Sequence, residues 1–175
     1  MLDTARLACS CGKFHLEVLG APFITTECHC NSCRQAATRM RTTPTMVSTN
    51  GGTPFVLYRK DRVRFPDGLS LLRGYRLSET APTRRVVTSC CNSPVLLEFA
   101  GAHWLSLYAS FWPADTRPAV EIRTMTSDLP PGTELDDSLP AGRRTTLGFY
   151  VRLLGAWIAM GFKSPKIQIA EEVAE

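Results

Sequence analysis

Three cysteines crowd into six residues of this chain, Cys28-His29-Cys30-Asn31-Ser32-Cys33. Alternate residues of a short extended segment, followed by a tight turn, point three sulfurs at one centre. Thiolates about 2.3 Å from a shared ion are the arrangement zinc takes, and three protein ligands leave a fourth position open. The remaining four cysteines sit in two further clusters, Cys9-Ser10-Cys11 and Cys90-Cys91. Four thiolates from distant segments close a tetrahedron, and a site of that kind contributes folding free energy directly. The expected division of labour is therefore a reactive metal on Cys28, Cys30 and Cys33, and a fold-holding metal on Cys9, Cys11, Cys90 and Cys91.

Neighbouring residues of an extended strand point to opposite faces, so Cys90 and Cys91 reach one ion only within a turn. Asn92-Ser93-Pro94 supplies turn chemistry, and Cys91 is the better placed of the two. Three blander arrangements compete. One is a single zinc built from the trio plus Cys90 or Cys91. Another is a zinc ribbon with no enzymatic activity, since fold does not give function. The third is cysteines acting as small buried apolar residues. His29, between two ligands, is expected to point away from their metal, exposed or behind the sulfurs. His15 and His103 read as strand-packing residues. Ser32 and Arg34 flank the trio and are placed to bond a sulfur or an incoming carboxylate, Arg34 bidentately.

The elements that must position these residues read as short strands with glycine and proline punctuation. Phe14, Leu16 and Val18 alternate with Lys13, His15 and Glu17, a half-buried strand entered from the Cys9–Gly12 knuckle. Residues 23–28 form a second strand that delivers the trio, and residues 34–39 make one or two helical turns. Further strands are expected over 54–58, 63–65, 69–77, 84–88, 95–99, 105–110 and 119–125, the pair around Cys90-Cys91 joined by a cysteine-bearing turn. The result is a mainly β domain over 7–125. After loop-like residues 129–144, the stretch Leu147–Phe162 turns apolar and predicts a helix of about four turns, within a C-terminal extension over 126–175. Its sixteen residues, with Arg152 near the middle, fall short of the roughly 20 that span a bilayer. The expected role of helix 147–162 is packing on the domain or forming a homodimer, with peripheral membrane association next.

The chain has 175 residues, enough for one well-buried core. At 44% hydrophobic and 21% charged it has the balance of an ordinary globular protein. The net charge of +4 is carried by scattered arginines without a basic stripe interleaved with aromatics. That suits a small anionic ligand at least as well as nucleic acid. No signal-peptide pattern is visible in residues 1–8, so reduced thiols, metal ligation and a cytoplasmic location are expected.

Together, Cys9-x-Cys11-Gly12, Cys28-His29-Cys30-x-x-Cys33-Arg34 and the cysteine turn leading into Ser93-Pro94-Val95 resemble the glutathione-dependent formaldehyde-activating enzyme family. That family includes centromere protein V relatives and has a mainly β, Mss4-like fold. The resemblance covers about residues 7–110. It implies a structural zinc on the first and last cysteine pairs and a catalytic zinc on the middle trio. At the latter, glutathione's thiol meets formaldehyde to give S-hydroxymethylglutathione. The chain departs from the pattern at the last pair: Thr88 stands where the family's first cysteine would be. Either Cys90, two positions along, has taken that role, or the structural site is altered.

The function expected on this basis is that of a zinc-dependent carbon–sulfur lyase-like enzyme, acting on an adduct of glutathione or a similar thiol with formaldehyde or a related small aldehyde. The alternative is a zinc-stabilised binding module without catalysis. Three thiolates leave a zinc site with net negative charge, which fits thiol binding better than water activation.

Overall fold

Strict alternation decides the first layer: Phe14, Leu16 and Val18 are all fully buried, while His15 and Glu17 between them are partly exposed. The structure, a computed structural model, describes residues 3–173. β1 (Thr4–Ala8), β2 (His15–Leu19) and, after Leu19, β3 (Ile24–Cys28) open the chain, followed by helix α1 (Asn31–Met40). β4 (Thr53–Arg59), β5 (Val63–Arg64), β6 (Leu72–Arg76), β7 (Thr83–Thr88), β8 (Pro94–Phe99), β9 (Trp104–Tyr108) and β10 (Ile122–Thr124) come next. Helix α2 (Arg143–Ala159) and β11 (Ala170–Val173) close it.

The strands form a three-stranded sheet, β1-β2-β5, and an eight-stranded sheet, β10-β3-β4-β9-β8-β7-β6-β11. Pairing in the large sheet is antiparallel except at its edges, where β10 lies parallel to β3 and β11 parallel to β6. Alternate residues of the central strands serve two cores. Val56, Tyr58, Val86, Leu96, Leu105 and Leu107 pack with Phe14, Leu16 and Val18 of the small sheet. Phe55, Leu57, Leu97 and Tyr108 face the other way, onto Ile24, Met46 and the Cys33 and Ala36 side of α1. The mainly β architecture with a C-terminal helix is thus as expected, although β1 and β11 were not foreseen.

Two element boundaries differ from expectation. The segment after Cys30 is helical from Asn31 through Met40, longer than the one or two turns expected from Arg34, and it ends where Arg41 takes a left-handed conformation. The apolar helix runs over 143–159 instead of 147–162. Gly142, at φ 91°, lets the chain turn in, and the Thr145 and Thr146 hydroxyls bond back to the Ala141 and Gly142 carbonyls. Left-handed Gly161 and Phe162 stop the helix at the other end.

The tail is tied to the sheet at two places. His103 donates from Nε2 to the Leu153 carbonyl at 2.8 Å and stacks on Trp157. Lys60 and Arg84, both buried, share the Glu98 carboxylate, and Lys60 also donates to the Pro165 carbonyl at 2.9 Å.

Candidate metal centres

The first cluster begins at the knuckle before β2. Gly12 donates to the Cys9 carbonyl at 2.9 Å with φ 73°, a conformation that favours glycine. This turn brings Cys11 back beside Cys9, sulfur to sulfur 3.6 Å. The partner segment is the β7–β8 turn, in which Asn92 donates to the Thr88 carbonyl at 3.0 Å and sits in the left-handed region. Curling the chain there puts Cys90 and Cys91, which an extended strand would separate, on one side. Cys90 Sγ lies 3.8 Å from Cys9, 3.4 Å from Cys11 and 3.8 Å from Cys91. A tetrahedron of sulfurs about 2.3 Å from a zinc has edges of about 3.8 Å. Four of the six sulfur separations stand near that spacing and all six are within 4.8 Å, so the donor set fits one such ion, with Cys90 inside the cluster.

Ser93 knits the two segments together, a role not read from the sequence. Its hydroxyl receives the Ser10 amide at 3.1 Å, lies 3.2 Å from Cys91 Sγ and donates to the Thr43 carbonyl at 3.2 Å. Thr88, at the position of the missing cysteine, places its own hydroxyl 3.2 Å from Cys91 Sγ and accepts from the Ser93 amide. Burial opposes ionisation of Cys91, but the hydroxyls of Ser10, Ser93 and Thr88 prevail and hold its thiol down at about 4. Burial and the Cys11 and Cys9 sulfurs push Cys90 up to about 12. A cation is what would relieve such crowding.

The second cluster spans the junction of β3 and α1. Cys28 ends the strand, Cys30 is the helix N-cap and Cys33 lies in the first helical turn. Cys30 Sγ accepts the Cys33 amide at 3.3 Å, and Cys33 Sγ is 3.9 Å from Cys28 Sγ. The strand-to-helix junction, rather than a tight turn, is what converges the three. Hydrogen bonds from Cys28 and Cys33 hold Cys30 down at about 2, while Cys33 is pushed far up by its two neighbours and burial. The group is therefore poised around a thiolate at a helix N-terminus. All three sulfurs lie within 4.8 Å of one another, and among the described residues no fourth His, Cys, Asp or Glu joins them. Each of the two cysteine clusters can hold a metal ion, one with a full set of protein donors and one with three.

Of the two places expected for His29, the structure shows the one behind the sulfurs: it is completely buried, with Nε2 3.0 Å from Glu27. Glu27 also accepts from Asn50 at 3.1 Å and from Arg123 at 3.0 Å. Gly52 closes over this group, since a Cβ there would lie 2.5 Å from Glu27 and 2.8 Å from His29. Arg34, expected to offer a fork to a carboxylate, instead bonds the carbonyls of His29 and Asp128 and the Asn31 side chain. In this arrangement it fastens the trio's loop to residues 126–128.

Burial alone would raise Glu27, but Asn50, Arg123 and His29 overcome it and hold the carboxyl below its ordinary value of 4.5. A carboxylate depressed on folding stabilises above its unfolded pKa and loses that contribution as pH falls through the folded one. Replacing Glu27 by leucine leaves His29 Nε2 without its partner and Arg123 with Asp136 alone, and about 3 kcal/mol should be lost in urea unfolding at pH 7. The gap between wild type and variant should narrow below about pH 4.

Arg85 is the other residue missed. It is fully buried on β7, and among the described residues it is the one buried lysine or arginine with no carboxylate partner. Its Nη2 donates to the Ser32 hydroxyl at 2.6 Å and the Ser32 carbonyl at 3.1 Å, and Ser32 Oγ is 3.8 Å from Cys30 Sγ. Its Nε has no partner. The available signal was an arginine inside an otherwise strand-forming run, Arg85-Val86-Val87.

Among solved structures, a Rhodobacter sphaeroides protein, a Northeast Structural Genomics target, is similar at 14% identity over 63% of this chain and 89% of its own, with a TM-score of 0.45. None of the curated proteins matches. Residues 4–124 match the family described as glutathione-dependent formaldehyde-activating enzyme. That span includes all seven cysteines and every strand from β1 to β10, and the chain belongs to this family.

Proposed function

We propose that the chain interconverts a small thiol, glutathione or a similar one, and its adduct with formaldehyde or a related small aldehyde, at Cys28, Cys30 and Cys33. The observation that carries this reading is the three-donor cluster standing beside a complete four-donor one. With Cys9, Cys11, Cys90 and Cys91 able to satisfy a structural zinc, the trio is released from that duty. A second zinc held by Cys28, Cys30 and Cys33 would have a position left for substrate. When bound, that zinc supplies a site that keeps a thiol ionised near neutral pH.

The reaction balances without a redox partner. The thiol sulfur adds to the carbonyl carbon, a carbon–sulfur bond forms, and the thiol's proton ends on the new hydroxyl; the reverse returns thiol and aldehyde. The chain's own residues hold the cluster in place. Cys30 uses the α1 amides to stay anionic, Ser32 bridges it to Arg85, and the Glu27–His29–Arg123 group fixes the strand from behind. Arg85 answers the net negative charge of three thiolates around a divalent ion, which accounts for a buried arginine without a carboxylate. Replacing it by methionine should weaken metal binding at the trio about 10- to 100-fold. Titration against a chromophoric chelator measures this, and the four-cysteine cluster's metal serves as the unchanged internal reference.

One observation favours the alternative of a metal-stabilised module without turnover: Arg34 is fully engaged by the protein. Exchange spectroscopy by NMR decides between them. The zinc-loaded chain should speed the exchange of formaldehyde with glutathione above the buffer rate. An unchanged rate with both metals bound would assign the chain to the module class.

A further inference from the structure

Helix α2 is docked by a narrow stripe. Leu153 and Ala156, with Met160 beyond the helix end, are buried against the domain. Leu147, Tyr150, Val151, Leu154 and Ile158 are each more than half exposed, and Trp157 is 37% exposed. At about 100° per residue these six fall within one arc of about 120°, turned away from the docked stripe. The patch continues past the helix end at Phe162, 60% exposed, whose ring meets Trp157 edge-on at 5.2 Å. A contiguous apolar surface of this kind marks a site of interaction.

Charge says what covers it. Between Asp137 and Glu171 the chain holds Arg143, Arg144, Arg152, Lys163 and Lys166 and no acidic residue. Arg152 pairs with Glu121 at 2.6 Å. Arg143 and Arg144 at the start of the helix and Lys163 and Lys166 in the segment after it are exposed, without a carboxylate partner among the described residues. In a pair of α2 helices from two copies, an antiparallel arrangement sets Arg143 and Arg144 against Lys163 and Lys166, and a parallel one sets each group against itself. Both are repulsive. An apolar strip with aromatic rings and cations at both ends matches a lipid interface whose headgroups are anionic.

We propose that α2 lies in the plane of an anionic phospholipid surface, with its Leu147–Ile158 strip among the acyl chains and its terminal cations on the headgroups. No helix among the described residues is long and apolar enough to cross a membrane, so the attachment is peripheral. The proposal is independent of the chemistry assigned to the cysteines. It places that chemistry at a membrane surface.

Flotation of the full zinc-loaded chain with vesicles tests it. The chain should rise with phosphatidylcholine vesicles containing phosphatidylserine, remain behind with phosphatidylcholine alone, and be released by high salt. Leu154→Glu with Ile158→Glu, both at exposed positions, should abolish flotation without changing the circular dichroism spectrum. Arg143→Gln and Arg144→Gln should each weaken binding about fivefold. Failure to float with the anionic vesicles, or equal flotation with both kinds, overturns the proposal. So does a lipid-free dimer in sedimentation equilibrium that Leu154→Glu with Ile158→Glu converts to monomer.

Discussion

Cys11→Ser should leave the chain unfolded, as read by the loss of near-ultraviolet dichroism and of cooperative thermal unfolding. Cys11 is one corner of a cluster that joins the chain's beginning to the β7–β8 turn, segments 79 residues apart in sequence. A structural zinc in a four-thiolate site contributes about 10–16 kcal/mol in small zinc peptides at neutral pH. A domain's whole net stability is about 5–15 kcal/mol. The hydrogen bonds that otherwise join these segments run from Ser10 to the Ser93 hydroxyl. At about 1 kcal/mol each they do not replace the metal. A chelator strong enough to strip this site should have the same effect on the wild type, and added zinc should restore the fold of wild type but not of Cys11→Ser.

The second large effect is on chemistry, with the fold retained. Cys30 is the N-cap of α1 and, in the proposed function, also a ligand, and two substitutions separate the two roles. Alanine removes both, and loss of a cap costs about 1 kcal/mol, which a domain held by its other cluster survives. Serine keeps the cap, because its oxygen can receive the Cys33 amide as the sulfur does at 3.3 Å, but no longer offers a thiolate. Cys30→Ala and Cys30→Ser should therefore both lose more than about 100-fold in formaldehyde–glutathione exchange. Serine should melt closer to wild type than alanine. A serine variant with wild-type exchange would mean that Cys30 serves the helix and not the reaction.

How the sequence relates to these sites depends on the kind of signal each residue leaves. Period-2 patterning is local, so β2 was legible from Phe14, Leu16 and Val18. Cysteine spacing is also local, and the grouping of Cys28, Cys30 and Cys33 needed no fold. The union of Cys9 and Cys11 with Cys90 and Cys91 was legible through turn chemistry, because Asn92 can take the left-handed conformation that curls the β7–β8 connection. The residues behind the metals were not legible. Arg85 and Glu27 are charged side chains whose burial follows from strand order in an eight-stranded sheet, and strand order is not written in any window of sequence. β11 escaped for the same reason: a short edge strand is defined by the β6 partner it finds. For α2 the apolar run was visible, but its boundaries were set by Gly142 and Gly161, whose positive φ angles mark where the helix is entered and left.

In the proposed function the two clusters do different work, and graded chelation tests that division most directly. Zinc content per chain, dichroism and formaldehyde–glutathione exchange are followed together as chelator is added. The prediction is two zincs at the start, one leaving first and taking the exchange activity with it while the fold stays, and the second leaving only as the chain unfolds. A single zinc per chain, two that leave together with the fold, or exchange that persists after the first has gone would contradict it.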